Sequence, residues 1–380
     1  MIQSKAKAIE RIGAIDELRG LALVLVILSH VGLVYGLETD VAYALALPAF
    51  GVGVDLFFVI SGFVIYRNVF AMKALAGGNA LAGAWAFWAR RLVRIAAPAW
   101  ATVAVIGVVR IAQEGVEGSW ADLAAGAGFF ANFYWAGCEA SPAPCPHHLV
   151  ASHFWSLSLE GQFYALAPAL AALPRHLAIP VGVTVLAMDA AVPRPVGSSL
   201  WTMRPDALLI GMGIAALTEQ AGILRKFWPA LSLGQAVYWA CVASILERLA
   251  IGRFSGLGLV FVALLFGFVV AGRLRAGAAE CWLARALRKG GEMSFSAYLV
   301  HLPVLSGMHD ALADKITPTL ALVASLAAIV AATVIWETLV VKPSAELGRR
   351  LSEKLTLKNC TLGAQGCNFS RQFIRTRRAG

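Results

Sequence analysis

The chain is poor in charge. Asp, Glu, Lys and Arg make up 14% of its 380 residues, against about 25% in a soluble globular domain, while hydrophobic types reach 59%. That scarcity excludes an ordinary water-soluble fold. It predicts an all-α, polytopic membrane protein, because helices satisfy their own backbone groups in lipid. Acids are scarcer than bases, 22 against 32, for a net charge of +10. A single basic patch of that size would invite nucleic acid. Here the cations are spread over loops, so topology accounts for them and no nucleic-acid partner is expected. The six cysteines lack any close-spaced metal pattern, and no metal is expected. Cys241 falls in an apolar run and reads as a small packing residue. Cys138 and Cys145 share one loop, where an oxidising compartment permits a disulfide. His147, His148 and His153 nearby match no common zinc spacing.

What the chain has in quantity is apolar length. Windows long enough to cross predict ten spans: Leu18–Leu37, Leu47–Tyr66, Val93–Ala112, Phe154–Leu173, Leu177–Val192, Asp206–Ala221, Pro229–Leu246, Ser255–Gly272, Met293–Met308 and Thr319–Val340. With the N-terminus inside, 26 of the 32 Lys and Arg fall on the inner side, as the positive-inside rule requires. Residues 1–17 then form a cytoplasmic N-terminal segment, 18–342 the membrane domain and 343–380 a basic cytoplasmic tail that touches anionic lipid or stays unstructured. No small-x-small cleavage site follows the first apolar segment, so it reads as a retained anchor. The moderately apolar stretch Trp120–Gly137 would be an eleventh span. Spanning would put Arg225, Lys226 and the basic run 273–289 outside, so it reads as a re-entrant or surface helix on the outer side.

Charge inside such segments is costly and points to function. Arg19 and His30 share the first span. Eleven residues is about three turns, so both project from one face about 16 Å apart. Arg91 and Arg94, in Trp88-Ala-Arg-Arg-Leu-Val-Arg94, lie three apart on one helix side. They read either as inner-face anchors or as a clamp for phosphate, which guanidinium forks suit. Asp55 and His30 are placed at similar depth by residue count. A carboxylate there would fix the tautomer of His30, or the two would glue helices together. Glu160 sits just inside the fourth span among Trp and Tyr. Asp206 reads equally as an N-cap or as an acceptor-binding acid. His301 and Glu337 lie within the last two spans, as packing residues or as part of a site.

In order, these elements are Asp16-Glu-Leu-Arg-Gly20 leading to His30, Gly53-Val-Asp-Leu-Phe-Phe-Val-Ile-Ser-Gly-Phe63, Arg91-x-x-Arg94 with Pro98, Trp155-Ser-Leu-Ser-Leu-Glu160 with Gln162-Phe-Tyr164, Arg204-x-Asp206-Ala-Leu, and Ser294-Phe-Ser-Ala-Tyr-Leu-Val-His-Leu-Pro303. Over about residues 12–345 the chain resembles the integral-membrane acyltransferase family 3, bacterial O-acetylases of surface polysaccharides and related glycans. The resemblance implies ten helices in the inner membrane, acyl-CoA (acetyl-CoA by default) as cytosolic donor and a saccharide hydroxyl as outer acceptor. The family's essential Arg and His fall on Arg19 and His30, its arginine pair on Arg91 and Arg94, and its glutamate on Glu160. On that reading Arg19, Arg91 and Arg94 bind acyl-CoA. His30 is a general base or a transient acyl carrier, Asp55 or Glu160 orients it or the sugar, and Asp206 and His301 face the acceptor. Two departures stand out: Gly161 replaces a usual second acid, and Val341-Lys-Pro343 replaces Glu-Lys/Arg-Pro. Rival classes are a proton-coupled transporter, which would also bury His and acids, and a non-catalytic sensor. No internal repeat of the transporter kind is evident, and nothing in the sequence sets an oligomeric state.

Overall fold

A computed structural model describes residues 12–35, 51–76, 79–114, 120–139, 152–195, 197–218, 228–250, 255–312 and 314–360. Among these the chain is all-helical. The helices are α1 (Gly13–Tyr35), α2 (Gly53–Leu75), α3 (Ala80–Glu114), α4 (Trp120–Ala127), α5 (Ala131–Glu139), α6 (Phe154–Ala172), α7 (Arg175–Ala191), α8 (Ser199–Thr202), α9 (Pro205–Thr218), α10 (Leu233–Leu249), α11 (Ser255–Ala276), α12 (Trp282–Glu292), α13 (Ser294–Leu312), α14 (Pro318–Trp336) and α15 (Lys342–Cys360). A π-helical turn, Glu337–Val341, joins the last two into one rod.

Five of these are long and apolar enough to cross a membrane: α1, α2, α3 as far as Ala112, α11 and the rod from Pro318 to Leu355. Large apolar side chains such as Val108, Ile179, Leu249 and Leu339 stand exposed on the outside. A surface of that kind is at home in lipid rather than water. The chain is therefore a multi-pass membrane protein.

Two glycine contacts set the frame of the site. A Cβ on Gly62 or on Gly211 would stand 2.0 Å from Leu208 O or Val59 O respectively, so α2 and α9 touch backbone to backbone. Gly20 and Gly291 do the same for α1 and α12, with Leu287 O and Asp16 O at 2.1 and 1.8 Å from the added atom. Lipid offers no hydrophobic drive between helices, and small residues let them gain close packing instead. The N-terminal end of α1 is also clamped. Glu17, fully buried, accepts from Arg273 Nη2, from the Ala279 amide at 2.8 Å and from Arg288 Nη1 at 3.2 Å. A buried carboxylate is tolerable when its lone pairs are met in this way.

The segment expected not to span folds as two short helices, α4 and α5, of 8 and 9 residues. Each is about 12–14 Å long at 1.5 Å per residue, well short of the roughly 30 Å apolar core. Cys138 is disulfide-bonded, while Cys145, His147 and His148 lie outside the described residues. Cys241 departs from expectation: it is exposed on α10, because the apolar run around it turns that face to lipid rather than to the core.

Candidate active site

Arg19 and His30 mark one face of α1, and a cavity runs along that face from Ile15 through Arg19 to Val26. The cavity holds about 220 Å³ and draws its walls from α1, α2, α3, α6, α12 and α13. Arg19, Arg91, Arg94 and Glu160, four of the residues singled out by sequence, all line it. Arg67, Asn68 and Arg90 join them. By sequence Arg67 and Arg90 read only as inner-side charge and Asn68 carries no signal of its own, yet Val54, Ser61 and Asn68 recur every seventh residue of α2, which marks a single helix face.

Arg19 and Arg91 are each held by a local device. Asp16, one turn below, accepts from Arg19 Nη1 at 3.2 Å and so takes one of its five donors. The guanidinium of Arg91 lies 5.1 Å from the centroid of the Tyr164 ring and 6.0 Å from that of Phe87. Stacking leaves its N–H edge available for anions. Tyr164 is itself fixed at both ends, since its carbonyl accepts from Trp88 Nε1 at 3.0 Å and its hydroxyl donates to Glu160. Glu160 is thereby tied to the arginine cluster through Tyr164.

Val26, Ser156 and Tyr298 line the cavity too. Val26 lies one turn before His30, and its carbonyl receives His30 Nδ1 at 2.8 Å. A nitrogen facing a carbonyl carries the hydrogen, so Nε2 of His30 keeps the lone pair. Behind His30 stands His301, with ring centroids 5.0 Å apart, and then His153, 5.5 Å from His301. Tyr298 binds this group together. Its hydroxyl donates to the His153 carbonyl and accepts from Ser156 Oγ at 3.1 Å. His301, a packing residue or part of a site by sequence, stands against His30 in this cluster. His153, read only against zinc spacing, belongs to the same cluster. Among the described residues no group of His, Cys, Asp and Glu could hold a metal ion.

Asp55 is the main correction. It does not partner His30. Both its oxygens accept from Arg204 Nη1 at 2.6 Å, and both residues are 1% exposed. The cause is helix phase. Gly53 faces α1, where an added Cβ would touch Ala22 O, Leu25 and Val26. Two residues on is a rotation of about 200°, so Asp55 faces away from α1. Seven residues before Gly62, it shares the face that packs on α9. Gly53 is also level with Val26, a turn short of His30. The depth estimate failed because it counted from Leu47, and the described helix begins at Gly53.

For Asp206 the N-cap alternative falls. It sits inside the first turn of α9 and receives Arg194 Nη1 and Nη2 at 3.3 and 3.0 Å, so it pairs with a cation rather than capping the helix. Arg204 adds Glu247 at 3.5 Å and lies 4.4 Å over the Trp201 ring. Arg194 and Arg204 were counted as loop cations. Nothing local in the sequence marks them as buried, because both partners of each are distant or on another element.

Gly161 explains its own departure from the family pattern. An added Cβ would stand 2.9 Å from the ring of Phe129. Phe129 has φ of +60°, a left-handed conformation uncommon for a bulky residue, and Gln162 Nε2 holds its carbonyl at 2.9 Å. The α4–α5 turn thus occupies the space that a side chain at 161 would need. Gly161→Glu is expected to cost about 1–3 kcal/mol by overpacking. Thermal unfolding in detergent reads the loss, and adding Phe129→Ala should recover part of it.

A family model described as an acyltransferase domain matches residues 12–337. No curated protein and no solved structure matches the chain. The matched stretch takes in the arginine-lined cavity, the His30 cluster and the paired charges of α2 and α9, and the chain belongs to acyltransferase family 3.

Proposed function

We propose that the chain moves an acyl group, acetyl by family resemblance, from cytoplasmic acyl-CoA to a hydroxyl of an extracytoplasmic glycan or glycolipid. One observation carries this reading: a single cavity gathers Arg19, Arg91 and Arg94 at one end and stops one turn short of the free Nε2 of His30. The cation-rich end suits the phosphates of the donor. The thin thioester arm then runs along α1 toward His30. In the proposed topology ten helices cross the inner membrane of a bacterium, both termini are inside, and the arginine mouth opens to the cytoplasm.

The chemistry needs few groups. His30 Nε2 takes the proton of the acceptor hydroxyl as that oxygen attacks the thioester carbonyl. The C–S bond breaks, and the proton leaves on the sulfur of CoA. A transient acyl-imidazole would use the same nitrogen. Glu160, through Tyr164, fixes the stacked Arg91. The Asp55–Arg204 and Asp206–Arg194 pairs brace the acceptor side. The family match does not favour a proton-coupled transporter.

The test is donor kinetics. Arg91→Ala and Arg94→Ala should each raise KM for acetyl-CoA about 10- to 100-fold, the worth of a charge-assisted hydrogen bond. CoA release by membranes containing each variant reports it. Unchanged KM in both variants would remove the phosphate-clamp reading.

A further inference from the structure

With Asp55 committed to Arg204, no carboxylate among the described residues hydrogen bonds to His30. The group beside it is His301, which is fully buried. Its Nδ1 faces two carbonyls of its own helix, Tyr298 O at 2.7 Å and Ala297 O at 3.2 Å. A nitrogen so placed must donate, which leaves the lone pair on Nε2. That Nε2 is enclosed and has no hydrogen-bond partner. An unmet buried acceptor costs stability, and such costs gather at functional sites. The ring stands edge-to-face on His30, at 5.0 Å and 70°. His30, pinned by Val26 O, carries hydrogen on both nitrogens once it accepts a proton.

We propose that His301 is a positioning residue for the transfer. Its neutral imidazole, locked in one tautomer, supplies the lone pair that stabilises the positive charge developing on His30. Preorganised dipoles in a dry site are suited to this task. The proton balance is unchanged: the O–H bond of the acceptor breaks, His30 Nε2 holds the proton, and the CoA thiolate removes it. His301 gains and loses none. A carboxylate in the same place would hold a charge in the apolar interior between turnovers, at a desolvation cost that a neutral ring avoids. The inference rests on the acyl-transfer reading of His30.

Two substitutions separate chemistry from packing. His301→Phe keeps an aromatic ring and removes the lone pair. His301→Gln keeps an acceptor near the position of Nε2. In membranes given acetyl-CoA, His301→Phe should lower kcat on the order of 10²-fold with KM for acetyl-CoA unchanged, and His301→Gln should recover most of that loss. A wild-type kcat in His301→Phe, or an equal fall in both variants, would overturn the role. If His301→Phe lowers the melting midpoint, His301→Met, apolar and adaptable, replaces it in the comparison. Absence of any His30-dependent CoA release from the wild-type protein would instead sink the acyl-transfer reading. His30-dependent release that ignores His301 sinks only the present inference.

Discussion

His30→Ala is expected to reduce acyl transfer by about 10²–10⁴-fold, the usual worth of a positioned base, while acetyl-CoA still binds. The two readouts part because the substitution lies a turn beyond the cavity and touches none of the arginines. Equilibrium dialysis of labelled acetyl-CoA measures the first stage, and acyl incorporation into envelope glycans measures the second. Retained transfer at normal protein level would remove His30 from the mechanism. Loss of donor binding as well would mean that the imidazole supports the cavity wall rather than the chemistry.

Asp55→Ala should be the most damaging single change to stability, by about 3–5 kcal/mol. It strands the Arg204 guanidinium at 1% exposure, with Glu247 at 3.5 Å as its remaining acidic contact. The size follows from the uncompensated charge rather than from the lost bond. Replacing both partners by apolar groups removes that charge, so Asp55→Leu with Arg204→Met should be more stable than Asp55→Ala alone. Thermal unfolding of the three proteins in one detergent decides it. If the single variant melts with the wild type, the pair is not a structural brace.

Local features of the chain were readable in advance. The spacing of Arg19 and His30, the i,i+3 relation of Arg91 and Arg94, and the short reach of residues 120–137 all depend on helix geometry alone, and the structure places them as that geometry dictates. Relations between helices were not readable. Counting depth sets Asp55 beside His30, but its partner is set by which side of α2 meets α9, and that is written in Gly62 and Gly211 rather than near Asp55. Glu17 passed as one letter of a motif because its three donors come from residues 273 to 288. Arg194 and Arg204 looked like loop charge because burial of a cation depends on acids brought in by other elements. The histidine cluster had a signal of another kind: His30 and His301 within apolar spans carry weight in the sequence, whereas His153, one residue before the fourth span, reads there only against zinc spacing.

The wide turn at Glu337–Val341 has a consequence for the rod that contains it. An extra residue in a helical turn rotates everything beyond it by roughly 100° without ending the helix. The half before the turn lies along α13, and Glu337, the first residue of the turn, receives Ser296 Oγ at 2.6 Å. The half after it lies along α3, and an added Cβ on Gly348 would approach Arg90 O at 2.9 Å. One continuous strut therefore presents two different flanks. It touches the helix that carries His301 with one and the helix that carries Arg91 and Arg94 with the other, so the two ends of the proposed transfer path are braced by a single piece of backbone.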